Sequence, residues 1–182
     1  LLLQQRLIGK AAGMSEEALR KNELTNRKIF DVINQSNSLE QLNTDLTQMM
    51  MQMLKDDANT QKPSGMSDEN FVKLQVSQMG TAWMRYFIQY NPALALEKVK
   101  CPVLALNGEK DLQVPPKENL ETISKALAKA GNKKVTTMEI PNLNHLFQEC
   151  KTGSPYEYAS IEQTFSPTAL TEILKWIQVQ TK

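Results

Sequence analysis

The sequence predicts an α/β chain in two parts: a mostly helical region over residues 1–93, then a single βαβ unit and a C-terminal helix over 94–182. Three observations predict it. Apolar residues recur at helical spacing through residues 1–90. After the break at Asn91-Pro92, Pro102-Val103-Leu104-Ala105-Leu106 is a continuous apolar run of strand length, of the kind buried on both faces. A helix-length segment, opened by Pro116 and closed by Gly131, separates that run from a second extended stretch, Val135 to Ile140.

The helices follow in order. Leu3, Leu7 and Ile8 share one face of the first, and Gly13 stands where a C-terminal cap belongs. Ser15, followed by Glu16 and Glu17, opens the second, which carries Leu19, Ile29, Phe30 and Ile33 and fades at Asn34-Gln35-Ser36-Asn37. Ser38-Leu39-Glu40-Gln41 has the form of a capping box, in which Gln41 reaches back to the Ser38 amide. The helix it opens carries Leu42, Leu46, Met49, Met50, Met53 and Leu54. Residues 56–65 form a polar connection. Ser67 starts a helix with Phe71, Leu74 and Val76, and a shorter one runs from Thr81 through Trp83, Met84, Phe87 and Tyr90.

In the second part, the strand ends near Asn107-Gly108 and Pro116 lies in the first turn of a helix reaching Ala130. Val135, Thr136 and Thr137 favour extended structure in the next strand. Ser166-Pro167 caps the last helix, whose apolar face is Leu170, Ile173, Leu174 and Ile177. Strand, helix and strand make one βαβ unit with parallel strands. Two parallel strands are not an independently stable sheet, and a parallel sheet needs cover on both faces. The unit therefore reads as the tail of a larger sheet, and its open edge allows self-association.

Composition narrows the function. The net charge is +1 with the two signs nearly balanced, and there is no block of like charge suited to nucleic acid or a membrane surface. No apolar stretch is long enough to span a bilayer. Seven glycines leave little material for phosphate-cradling loops, and neither a cofactor nor a metal site is called for. Cys101 and Cys150 have no zinc-type spacing, read as buried structural thiols, and leave the compartment open. The chain opens on Leu1 without a signal-peptide pattern, which reads as part of a longer protein.

Asp111 follows the first strand and His145 follows the second. Either residue by itself is commonplace in a loop. What joins them is placement: catalytic groups of open parallel sheets gather outside the carboxyl ends of the strands, so neighbouring strands bring both to one edge. An acid that accepts the imidazole Nδ1–H fixes the tautomer and stabilises the imidazolium formed in nucleophilic catalysis. His145 is the one histidine of the chain.

"KVKCPVLALNGEKDLQVPP", with His145 following in "NLNHLFQ", resembles the C-terminal end of an α/β-hydrolase, most of all the bacterial esterase and serine-aminopeptidase-like branch. The likeness covers residues 94–182. Residues 1–93 match only in kind, as the helical cap inserted in such enzymes. It implies a serine hydrolase of carboxylic esters or amides, with Asp111 as the triad acid and His145 as its base.

The family's nucleophile occupies a G-x-S-x-G elbow, and the sequence has none; Gly65-Met66-Ser67 begins the pattern, but Glu69 stands where the second glycine belongs. The resemblance therefore implies a fragment that is inactive alone, with its serine upstream. Met50, Met53, Trp83, Met84 and Phe87 are the candidates for an apolar substrate surface in the cap. Two other readings stay open. One is a helical interaction module on a small α/β base without catalysis. The other is an α/β-hydrolase relative with different chemistry, such as a dehalogenase with an Asp nucleophile.

Overall fold

The computed structural model describes residues 1–57 and 62–181, and most of these residues are helical. Helix α1 (Leu2–Ala11) is followed by α2 (Glu16–Gln35), α3 (Leu39–Asp56), α4 (Asp68–Met79), α5 (Ala82–Gln89) and the single turn α6 (Ala93–Leu96). Strand β1 (Val103–Gly108), helix α7 (Pro116–Lys129), strand β2 (Val135–Ile140) and helix α8 (Pro167–Gln180) complete the order, with a 3₁₀ turn at Pro155–Ser160. Of the polar connection predicted over 56–65, residues 58–61 lie outside the described residues.

Local chemistry sets most of these boundaries. The side chains of Ser38, Ser67, Thr81 and Ser166 each accept a backbone N–H from the first turn of the helix they precede. The capping box at Ser38 differs from expectation by one residue. Ser38 Oγ accepts the Gln41 amide at 3.1 Å, but Gln41 Oε1 accepts from the Asn37 amide rather than from that of Ser38.

The chain divides into two compact units, Leu24–Tyr90 and a second built from Leu1–Glu23 with Asn91–Lys182. In the first, Ile29 and Ile33 of α2, Leu42, Leu46 and Met50 of α3, and Val72 and Val76 of α4 form a buried core. Met84 and Ile88 of α5 pack against it. The same helix closes the end of α2, where terminal carbonyls lack intrahelical partners. Arg85 Nη2 donates to Ser36 O at 2.8 Å, and Gln89 Nε2 donates to Ile33 O at 2.9 Å.

In the second unit, β1 and β2 pair in parallel, from Val103 opposite Val135 to Gly108 opposite Ile140. They form a two-stranded sheet, and α7 connects them and packs on both. The fold is thus a mostly helical chain with one βαβ unit and an incomplete parallel sheet. Two expectations change here. The apolar run expected as the strand ends at Leu106, but β1 continues through Asn107 and Gly108. Residues 103–106, expected to be buried on both faces, are half-buried, because two strands bring no third layer to cover them.

The last helix also packs differently from its expected face. Leu170, Leu174 and Ile177 are exposed, while Ala169 is fully buried and Trp176 Nε1 donates to Thr136 Oγ1 at 3.1 Å. Two strands only ~4.8 Å apart offer too narrow a face to cover the wider apolar stripe of α8. Cys101 is exposed and Cys150 half-buried, so neither is the buried thiol expected.

Candidate active site

Asp111 lies three residues beyond β1, and His145 lies five beyond β2. Because the strands are parallel and in register, both loops leave the same end of the sheet. The two loops are sewn together by backbone bonds: Glu109 N donates to Ile140 O and Lys110 N to Leu143 O, each at 2.9 Å. Gly108 makes the approach possible. A Cβ there would fall within 2.6 Å of Asn144 O and closer still to Leu143 O. The backbone of Gly108 is ordinary strand, and what the glycine supplies is space.

Asp111 is 4% exposed, and three donors besides the imidazole face its carboxylate. Oδ1 accepts the amides of Gln113 at 2.9 Å and Val114 at 2.7 Å. Oδ2 is 2.9 Å from His145 Nδ1 and 3.3 Å from Asn107 Nδ2. A carboxylate so supplied with donors is held as an acceptor, so Nδ1 carries the proton and donates it. In the neutral ring Nε2 is then left with its lone pair. The His145 side chain is 37% exposed, and Asp111 is its sole hydrogen-bond partner among the described residues.

The loop carrying His145 is held by Asn144, which is fully buried. Asn144 Oδ1 accepts the amides of Leu146 at 2.9 Å and Gln148 at 3.0 Å, and its Nδ2 donates to Gln148 Oε1 at 3.0 Å. Phe147 has a positive φ of 55°, a conformation that costs a non-glycine residue energy. Its ring stacks on Phe165 at 5.3 Å and its carbonyl accepts the Ser166 amide at 2.7 Å, contacts that hold it there.

Behind the acid, the 3₁₀ turn packs on the loop through Gln113, whose Nε2 donates to the Tyr158 hydroxyl at 2.8 Å. Burial raises the Tyr158 phenol above its ordinary pKa and the nearby Asp111 charge adds to this, against the opposing hydrogen bond from Gln113. Gly153, with φ 77°, leaves no room for a side chain beside Lys110 O. Burial also raises the Cys150 thiol, with Glu157 adding to the effect. Among the described residues, no group of three or more His, Cys, Asp and Glu side chains is placed to hold a metal ion.

The structure thus brings Asp111 and His145 together. The five apolar candidates belong to the helical unit, not to the unit carrying that pair. Met50 is buried in the helical core and Met84 packs against it. Met53 is half-buried. Trp83 and Phe87 are exposed, with their rings stacked at 5.0 Å.

Sequence reading missed Asn107, Gln113 and Asn144 as parts of the site. No signal in the sequence singled them out, since a buried amide is informative only once its burial is known.

A model of the prolyl oligopeptidase family matches residues 47–166, a span that includes both Asp111 and His145. No curated protein and no solved structure matches the chain. The match covers well over half of the sequence, and it agrees with the βαβ unit and with the expected relation to α/β-hydrolases. The chain belongs to the prolyl oligopeptidase family, whose fold is that of the α/β-hydrolases.

Proposed function

We propose that Asp111 and His145 are the acid and the base of a serine hydrolase acting on carboxylic esters or amides. The observation that carries this is the 2.9 Å bond from His145 Nδ1 to a buried carboxylate, on a half-buried ring whose Nε2 has no partner among the described residues. In this reading Nε2 takes the proton of a serine hydroxyl as the hydroxyl attacks the substrate carbonyl. Asp111 stabilises the imidazolium that results, and His145 then returns the proton to the leaving alcohol or amine. The hydrogen bond favours this reading over a non-catalytic module, which predicts no such pairing. Membership of a hydrolase family favours serine chemistry over an Asp nucleophile.

The nucleophile comes from outside these 182 residues. The sequence contains no G-x-S-x-G, and among the described residues no hydroxyl or thiol hydrogen-bonds His145 Nε2. The substrate is a small-molecule ester or amide, and the open edge of the two-stranded sheet is where this piece would self-associate.

Hydrolysis of a p-nitrophenyl ester tests both statements. The 182-residue chain is expected to hydrolyse it no faster than an equal concentration of free imidazole. The protein carrying the complete sheet is expected to hydrolyse it and to lose on the order of 10³-fold or more in kcat with His145→Ala. His145-dependent turnover by the chain alone would place the nucleophile within it. Full activity of His145→Ala in the complete protein would overturn the catalytic assignment.

A further inference from the structure

Asn107 is the penultimate residue of β1 and is 7% exposed. Its amide nitrogen has two hydrogens and two acceptors in reach, Val114 O at 2.9 Å and Asp111 Oδ2 at 3.3 Å. Turning the amide over would set its oxygen against a carbonyl and a carboxylate, so the orientation is fixed by the network. We infer that Asn107 is a positioning residue for the acid–base pair, selecting which carboxylate oxygen of Asp111 faces His145 and holding it there. This inference rests on the reading of Asp111 and His145 as that pair.

The geometry gives the reason. The Gln113 and Val114 amides pin Oδ1, but both belong to the loop that carries Asp111, so they fix the carboxylate only relative to its own loop. Asn107 joins that loop to the sheet. One N–H holds the Val114 carbonyl and the other marks the place of Oδ2, while the backbone of Asn107 is paired opposite Glu139 in β2. The acid is thereby referenced to the same strand pair from which the His145 loop departs. The Asn107 bond to Oδ2 is the longer of the two to that oxygen, so it directs the carboxylate without displacing the imidazole.

Substitution distinguishes this from a merely structural role. Asn107→Leu removes both donors. Asn107→Asp keeps the shape but sets a second acidic group beside Oδ2. Tyr158, facing Asp111 from the 3₁₀ turn through Gln113, and Glu109 and Lys110, which precede Asp111 and bond the Asn142 amide and the Cys150 carbonyl, are titratable groups near the pair and are unchanged in both variants.

The readout is nitrogen NMR of the imidazole ring in the 182-residue chain, whose single histidine makes the assignment unambiguous. The wild-type neutral ring is expected as the Nδ1–H tautomer. Asn107→Leu is expected to shift at least a third of it to Nε2–H with the backbone amide spectrum preserved. Asn107→Asp is expected to shift the tautomer ratio in the same direction, because a carboxyl held protonated beside Oδ2 has one hydrogen to donate where the amide has two.

A folded Asn107→Leu with an unmoved tautomer ratio would overturn the inference. If that variant does not fold, an unmoved tautomer ratio in Asn107→Asp would do the same. Asp111→Asn separates the two levels of argument. If it leaves the ring unaffected, the acid–base pair itself fails; if it alone moves the ring and neither Asn107 variant does, only the role of Asn107 fails.

Discussion

Asp111 divides its two carboxylate oxygens between two tasks: Oδ1 accepts two amides of its own loop, and Oδ2 faces His145 Nδ1 at 2.9 Å. The consequence is directional. An acid pinned at one oxygen cannot rotate to present the other, so the imidazole meets a single fixed acceptor.

Asp111→Asn should therefore do more than remove a charge. The two amides that hold Oδ1 require an oxygen at that place, so the asparagine must turn its NH₂ toward His145. Nδ1 then faces a donor, and the ring is driven to the Nε2–H tautomer, with no lone pair left on the exposed side. Nitrogen shifts of His145 in the variant are expected to report that tautomer. On the proposed reading, kcat of a protein that also carries the nucleophile is expected to fall by roughly 10⁴-fold, the size of effect a wrong tautomer produces in a triad.

Gly108→Ala tests how closely the two loops must approach. The added methyl would meet the carbonyls of Leu143 and Asn144, which are backbone atoms and cannot swing aside as a side-chain end could. Overpacking of this kind costs about 1–3 kcal/mol. Urea unfolding is expected to show that loss, and the His145 resonances are expected to shift, since the displaced carbonyls flank that residue. An unchanged midpoint would mean that the loops tolerate separation.

Glu157 gives the loop after His145 a pH dependence. Burial raises its pKa, but hydrogen bonds from the Thr152 hydroxyl and the Gly153 and Thr152 amides outweigh this and hold it below the ordinary glutamate value. A lowered folded-state pKa contributes stability that is present above the unfolded value of about 4.3 and is lost as pH falls through the folded one. Amide exchange of Thr152 and Gly153, compared at matched intrinsic rates, is expected to show less protection on acidification through that range. In Glu157→Gln the added dependence should vanish.

How legible all this was depends on how local its causes are. Ser38, Ser67 and Ser166 announced their helices because a cap is a contact between neighbours in sequence. The bounds Val135 and Ile140 of β2 were likewise readable from three β-favouring residues and the flanking loop. Asp111 and His145 could be paired because strand order alone brings the two loop starts together. Asn107 was not readable. Asn-Gly is a turn signal in isolation, and only the approach of the Leu143–Asn144 backbone explains why a strand ends with it. The exposed face of α8 escaped for the opposite reason: its apolar periodicity is real, but periodicity cannot say how much sheet is present to cover it.

Arg85 offers a test of the helical unit. Its guanidinium donates to Ser36 O through Nη2 at 2.8 Å and through Nε at 3.2 Å, and Nε also reaches Ser36 Oγ at 3.2 Å. Ser36 is buried, so water cannot readily replace the guanidinium, and without it Gln89 Nε2, 3.1 Å from the same carbonyl, is the donor that remains at the end of α2. A charge-assisted bond of this kind contributes about 1.5–3 kcal/mol, and a cation beside a helix C-terminus adds to it. Arg85→Ala is expected to lower the protection of the last-turn amides of α2 against hydrogen exchange by an order of magnitude or more. Arg85→Lys should recover only part of that protection, because an ammonium keeps the charge but not the planar fork that reaches both oxygens of Ser36. Equal protection in Lys and wild type would mean that charge alone closes the helix.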